Sequence, residues 1–212
     1  MIQKVSLPFA KRCFDVVVSF FLLIIASPFF LVLLFFIALE QLLLSGSRGP
    51  LLYSETRISG GQPFVLYKIR IFKQSVIDRE RSRGGVVHTK PLEQNPENLT
   101  YYGRFLKKIY LDELPQLFSV LRGEMTLVGP RPTNTENSQR LKQAGDYTKE
   151  RMVCGITGPF QAEKGKLSGD SQHVLDSAYI DFVMTESGWK VVIKDFRILC
   201  RTIKTVLEAR GV

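Results

Sequence analysis

The chain has 212 residues, 45% of them hydrophobic, with 29 Lys+Arg against 20 Asp+Glu for a formal charge of +9. That length suits one domain with room for an appendage, and the composition excludes a disordered chain, a collagen and a coiled coil. Cys13, Cys154 and Cys200 stand far apart, which argues against a disulfide framework or a zinc site and fits a reducing compartment.

Val16 to Leu39 carries no charge over 24 residues. As a straight helix it would be about 36 Å long, enough for a ~30 Å hydrocarbon core, and it lacks the polar stripe of a surface helix. It is also too long for the h-region of a signal peptide. Ser27-Pro28 interrupts it midway, and proline removes a backbone donor and kinks or breaks a helix. Lys4, Lys11 and Arg12 precede the segment, while Arg48 and Arg57 follow it. Basic residues on both sides give no clear orientation. A re-entrant hairpin and a single kinked span both fit these features.

The first 47 residues carry +1, which leaves +8 on residues 48–212. Such a charge suits anionic lipid, nucleotide diphosphates or nucleic acid. No zinc-finger spacing or ribonucleoprotein motif accompanies it, so lipid and phosphorylated substrates are expected and nucleic acid is not.

In chain order, Ser45–Pro50 is a Gly/Pro break. Residues 51–72 read as two short strands around Ser59-Gly60-Gly61-Gln62, with Lys68 and Arg70 on one face of the second. Residues 74–98 are polar with mixed charge and read as a solvated loop. Tyr101–Tyr110 reads as a short helix with Arg104, Lys107 and Lys108 on a basic face. Asp112 is a good N-cap, and Pro115 fits only a first turn, which places Asp112 and Glu113 at the next helix's N-terminus. Val128–Pro132 reads as a stiff turn presenting Arg131, and residues 155–169 as Gly-rich and irregular. Trp189–Leu207 reads as a last amphipathic helix whose apolar stripe packs on the body; a membrane-surface helix would have the same pattern. No Walker loop, GxGxxG, HExxH or GxSxG is present, and His88 and His173 read as solvated.

A carboxylate at a helix N-terminus is held ionised by the dipole and free amides. That is capping alone, unless cations gather an anion beside it. Lys68, Arg70 and Arg131 could converge on such an anion. Asp112 could then attack a phosphorus whose charge they neutralise, and Glu113 could hold Mg²⁺ together with substrate phosphates.

The motifs resemble those of the bacterial sugar transferases, the monotopic phosphoglycosyl transferases, over nearly the whole chain. Leu111-Asp112-Glu113-Leu114-Pro115-Gln116-Leu117 matches the family's LDELPQL signature. Gly123–Pro132 (GEMTLVGPRP) is similar to its G(D/E)MSLVGPRP. Tyr67-Lys68-Ile69-Arg70 is similar to its YKFR strand, and Gly155-Ile156-Thr157-Gly158 with Gln161 to its GITG..Q. Lys11–Asp15, Ser27-Pro28, Arg48-Gly49-Pro50 with Arg57, and Asp176, Tyr179 and Asp195 also fall where the family has such residues. Ile71-Phe72, Cys154, the Gln161–Lys166 run and residues 97–100 depart from its pattern, so the sugar is not carried over.

The resemblance implies an α+β fold. A re-entrant helix-hairpin over residues 1–47 turns at Ser27 and Pro28. A cytosolic, mostly helical catalytic domain over 48–212 carries a short sheet and interfacial amphipathic helices. It implies that Asp112 attacks a UDP-sugar, that UMP leaves, and that polyprenyl phosphate displaces the phospho-sugar. Glu113 would be the Mg²⁺ ligand. Lys68, Arg70, Lys107, Pro130, Arg131 and Gln161 would bind substrate, with Lys164 or Lys166 the only cations near the last of these. The implied location is the cytoplasmic face of a bacterial plasma membrane, in the first membrane step of exopolysaccharide or related glycan assembly. The sequence leaves room for a homo-oligomer. An inactive membrane-anchored scaffold on the same fold, or a single-span protein with a nucleotide-binding domain, are the competing readings.

Overall fold

The computed structural model describes residues 3–84, 87, 89–163 and 171–208. Helix α1 (Phe9–Leu43) leads into strands β1 (Leu52–Ser59) and β2 (Gln62–Ile69). Helices α2 (Gln74–Ser82), α3 (Thr89–Glu93), α4 (Tyr101–Ile109) and α5 (Gln116–Arg122) follow. Then come β3 (Thr126–Val128), α6 (Thr135–Gln143), α7 (Thr148–Arg151), β4 (Gly155–Thr157), α8 (Pro159–Ala162), α9 (Ser171–Thr185) and α10 (Gly188–Leu207). The result is a helix-rich α+β chain with small sheets and one long apolar N-terminal helix. The β1–β2 hairpin turns at the expected glycines, Gly60 and Gly61, both at positive φ.

α1 is apolar nearly all round. Only 11% of its most apolar stretch is buried within the chain, so it has almost no protein to pack against and lipid is its natural solvent. Pro28 lies inside the helix, which continues through it without interruption, and Ser27 Oγ donates to the Ile24 carbonyl at 2.8 Å.

The chain divides into two compact units. One comprises Met1–Phe21, Glu55–Leu66 and Gln116–Val212; the other comprises Leu22–Ser54 and Tyr67–Pro115. In the first, β3 and β4 pair in parallel, with Thr126 opposite Gly155 and Val128 opposite Thr157. A Cβ on Gly155 would stand 2.2 Å from the Gly129 amide nitrogen, and one on Gly158 2.3 Å from the Gly129 carbonyl oxygen. Glycine is required at both, which ties the VGPRP and GITG motifs into one structure. The expected irregular run at 155–169 is therefore a strand and a short helix as far as residue 163; Lys164 and Lys166 lie outside the described residues, as does His88.

A buried polar cluster holds the chain start in this unit. Lys11 Nζ donates to Asp195 Oδ2 at 2.5 Å and to the Val128 carbonyl at 3.0 Å, and lies 3.7 Å from Asp15. Asp15 accepts from the Thr126 hydroxyl and from the Leu127 amide. The Tyr179 hydroxyl is 2.5 Å from Asp195 Oδ1. Burial and the Asp195 charge push the Tyr179 phenol well above its ordinary range. Arg12 caps the end of α5 through the Val120 and Leu121 carbonyls.

α10 is where the expected helix forms with its stripe facing the other way. Val191, Asp195, Ile198 and Thr205 are buried, whereas Trp189 is 73% exposed, and Ile193, Phe196, Ile203 and Leu207 are exposed with it. The expectation that the apolar stripe packs on the body is corrected. Both faces repeat at helical spacing, and the buried one is disguised by Asp195 and Thr205.

The second unit buries Leu33, Ile37, Tyr53, Ile69, Phe72 and Leu106 among others. α2 and α3 occupy the stretch expected to be a solvated loop. Val76 and Ile77 are buried and anchor α2, which corrects that expectation.

Candidate active site

Asp112 and Glu113 do not cap a helix as the sequence suggests. They lie in a 3₁₀ turn, Leu111–Glu113, between α4 and α5. Tyr110 precedes them in the left-handed region at φ 55° and ψ 22°, and its amide closes α4 onto the Leu106 and Lys107 carbonyls. It is the one non-glycine residue at positive φ among the described residues. Such a conformation costs a bulky residue about 1–2 kcal/mol. It ends α4 abruptly and turns both carboxylates inward, where Asp112 is 6% and Glu113 9% exposed.

Lys68, near the end of β2, reaches this pair. Its Nζ is 2.8 Å from Glu113 Oε1 and 4.0 Å from Asp112 Oδ2. Burial pushes the Asp112 carboxyl up to about 6, with Lys68 pulling it down and the charges of Glu113 and Glu93 pushing it further up. Burial of Asp112 thus outweighs the Lys68 charge beside it. A carboxylate of this kind stays largely ionised at neutral pH yet is more basic than an exposed one, which suits a nucleophile or base. Glu93, on α3, was invisible as a site residue in the sequence because it sits in a mixed-charge polar run.

The other expected site residues divide clearly. Arg70 is only 1% exposed, and its guanidinium is spent on the Pro50, Phe72 and Ser47 carbonyls. The expectation that it faces a diphosphate beside Lys68 is corrected: β2 ends at Ile69, the alternation ends with it, and Arg70 locks the chain after α1. Lys107 Nζ donates to the Glu93 carbonyl at 2.7 Å and fixes α3. Pro130, Arg131 and Gln161 belong to the other unit. The Pro130 carbonyl accepts from Gly155, and Arg131 donates to the Ile156 carbonyl at 3.3 Å. Gln161 Oε1 is buried with no hydrogen-bond partner among the described residues, an acceptor that a ligand could satisfy. Ser27 and Pro28 lie in α1, as described above.

No group of three or more His, Cys, Asp or Glu gathers as a metal cage among the described residues. Mg²⁺ needs only one or two carboxylates when substrate phosphates complete its shell. The Asp112–Glu113 pair meets that requirement.

The profile of the bacterial sugar transferases matches residues 6–209. The chain belongs to the bacterial sugar transferase family. It is 32% identical over 95% of its length to the uncharacterized sugar transferase EpsL of Bacillus subtilis, covering 89% of that protein. It is 33% identical over 99% of its length to the undecaprenyl-phosphate galactose phosphotransferase of Salmonella typhimurium, spanning 43% of that longer chain. It is 30% identical over 97% of its length to the UDP-glucose:undecaprenyl-phosphate glucose-1-phosphate transferase of Caulobacter vibrioides, spanning 73% of it. Family membership places this chain among the sugar-1-phosphate transferases, and its apolar helix accords with membrane association.

Proposed function

We propose that this protein transfers a sugar 1-phosphate from a UDP-sugar to polyprenyl phosphate at the membrane, in the first step of assembling a glycan such as an exopolysaccharide. The observation that carries the reading is the buried Asp112–Glu113 pair held beside Lys68, with the Asp112 carboxyl raised by burial to about 6. Asp112 attacks the sugar-proximal phosphorus. The bond from that phosphorus to the bridging oxygen breaks, and UMP leaves with that oxygen. An oxygen of polyprenyl phosphate then attacks the same phosphorus and returns the electron pair to the Asp112 carboxylate. The product is polyprenyl diphospho-sugar.

Glu113 would hold Mg²⁺, which when bound neutralises diphosphate charge. Lys68 keeps Glu113 in place and lowers the cost of an ionised Asp112. The binding of nucleotide and phosphate by Pro130, Arg131 and Gln161 is part of the same proposal and rests on their motifs, with the unpartnered Gln161 oxygen in support.

The proposed topology is re-entrant, with residues 1–47 as the membrane segment and 48–212 as a catalytic body on the cytoplasmic face of a bacterial plasma membrane. The reading rests on the resemblance of Ser27-Pro28 to the family's break and on the basic residues that flank both ends of the apolar segment. Within the first unit Lys11, Arg12 and Asp15 are hydrogen-bonded to residues 120–128 and 195, and within the second Glu40 to Tyr101 and Tyr102. No second helix among the described residues is long and apolar enough to cross. In this reading the segment would turn back at Ser27-Pro28, which in the structure lies within the continuous helix α1. The exposed apolar stripe of α10, flanked by Lys190, Lys194, Arg197 and Arg201, suits a helix lying on a membrane surface.

The test is UMP release from a panel of UDP-sugars by the nanodisc-held protein with polyprenyl phosphate and Mg²⁺. Release with one donor, lost in Asp112→Asn, is expected. Folded protein that neither releases UMP nor binds any UDP-sugar would overturn the reading and favour a scaffold.

A further inference from the structure

The second unit contains an apolar groove of about 610 Å³ between the later half of α1 and the start of α4. Phe29, Val32, Phe36 and Leu43 form one wall, and Tyr101 and Phe105 the other. Along α1 it runs from Phe29, next to Ser27-Pro28, to Leu43, about 21 Å at helical rise. The single acid on its rim is spent, because Glu40 accepts from the Tyr101 and Tyr102 amides at 2.9 and 2.8 Å and from Ser47 Oγ at 2.5 Å. Those bonds cap α4 and fix it against α1, so the groove is built rather than incidental.

The groove does not end at Tyr101. On α4, Tyr101, Phe105 and Ile109 repeat at four-residue spacing and are 65%, 53% and 39% exposed. Their stripe is bordered by buried Tyr102 and Leu106 on one side and by Arg104 and exposed Lys108 on the other. It covers about 12 Å and stops at Tyr110, where the chain turns into Asp112-Glu113. An apolar stripe with cations on its flank therefore leads along α4 from the groove to the turn that carries the carboxylate pair. Its chemistry matches one amphiphile: a phosphate at the dyad end and a long hydrocarbon tail running down α4 into the groove.

We propose that this track and groove bind the isoprenoid chain of the acceptor, with the first units on the α4 stripe and the later ones in the groove along α1. The inference rests on the transfer reaction proposed above and adds where the lipid tail is held and which residues set the preference for its length.

The experiment compares undecaprenyl phosphate with geranyl phosphate as acceptors in nanodiscs, for wild type, Val32→Trp and Phe105→Ser. Geranyl phosphate has two isoprene units and reaches only the α4 stripe. Val32→Trp fills the groove, so the KM for undecaprenyl phosphate should rise about tenfold while that for geranyl phosphate stays within twofold. Phe105→Ser should raise the KM for both about tenfold, the scale of one lost aromatic contact. UMP release from the donor without acceptor reports the fold of each variant. If Val32→Trp affects both acceptors equally or neither, the groove holds ordinary membrane lipid and the inference falls alone. If wild-type protein releases no UMP, the transfer reading falls and takes the inference with it.

Discussion

Lys11 in the first unit and Lys68 in the second each face two carboxylates, and the two clusters behave oppositely. In the first, Lys11 faces Asp15 and Asp195, and all three side chains are fully buried. All four carboxylate oxygens have a donor, from Thr126, Leu127, Lys11 and Tyr179. In the second, Lys68 faces Asp112 and Glu113 at 21% side-chain exposure. Among the described residues, Lys68 at 4.0 Å and a backbone amide lower the Asp112 carboxyl, and burial outweighs them. The charge ratio is the same, yet burial leaves Asp112 raised to about 6. The cluster around Lys11 fixes architecture, whereas a buried carboxyl raised towards neutrality, as at Asp112, is suited to react with a substrate.

Breaking the cluster around Lys68 should cost function without fold. Asp112→Asn is expected to lower turnover by about a thousandfold or more, with a melting temperature at neutral pH no lower than that of the wild type. Substantial residual turnover would remove Asp112 from the chemistry. Breaking the cluster around Lys11 should cost fold. Lys11→Met leaves Asp195 buried and unpaired, and thermal or chemical unfolding should show a loss of about 3–5 kcal/mol. The double variant Lys11→Met/Asp195→Leu should recover part of it.

The comparison sharpens with pH. The Asp112 carboxyl is raised to about 6, above its unfolded value. Its ionisation therefore costs stability, and that stability is lost as pH rises from about 4 through 6. Turnover needs the ionised form, so kcat/KM for the donor should fall tenfold per pH unit below about 6. Lys68→Met removes the cation that lowers this value, so the midpoint should move to higher pH; a midpoint unmoved by Lys68→Met would show that another group sets it. The smallest effect is expected at Tyr110. A β-branched residue fits poorly at φ 55°, so Tyr110→Val should cost about 1–2 kcal/mol, while Tyr110→Gly should stay within about 1 kcal/mol by the same measurement.

The sequence made the hairpin legible through Gly60-Gly61 and the apolar helix through its length, and it singled out Asp112 and Glu113. It did not show the turn that holds them, because a tyrosine in the left-handed region carries no sequence signal. Arg70 looked like a phosphate ligand because strand alternation was carried one residue past Ile69, where β2 ends. α10 was legible as a helix but not in its facing, since Asp195 and Thr205 hide the buried side while Trp189 and Phe196 advertise the exposed one. The three-residue strands β3 and β4 are too short for periodicity to reveal. Their pairing shows only in glycines with no room for a Cβ.

The most direct test of the central claim is the mass of the protein quenched after mixing with UDP-sugar and Mg²⁺ in the absence of acceptor. A phospho-sugar adduct should appear on the peptide containing Asp112, disappear when polyprenyl phosphate is added, and be absent in Asp112→Asn. UMP release without any adduct, or an adduct on another residue, would contradict the account.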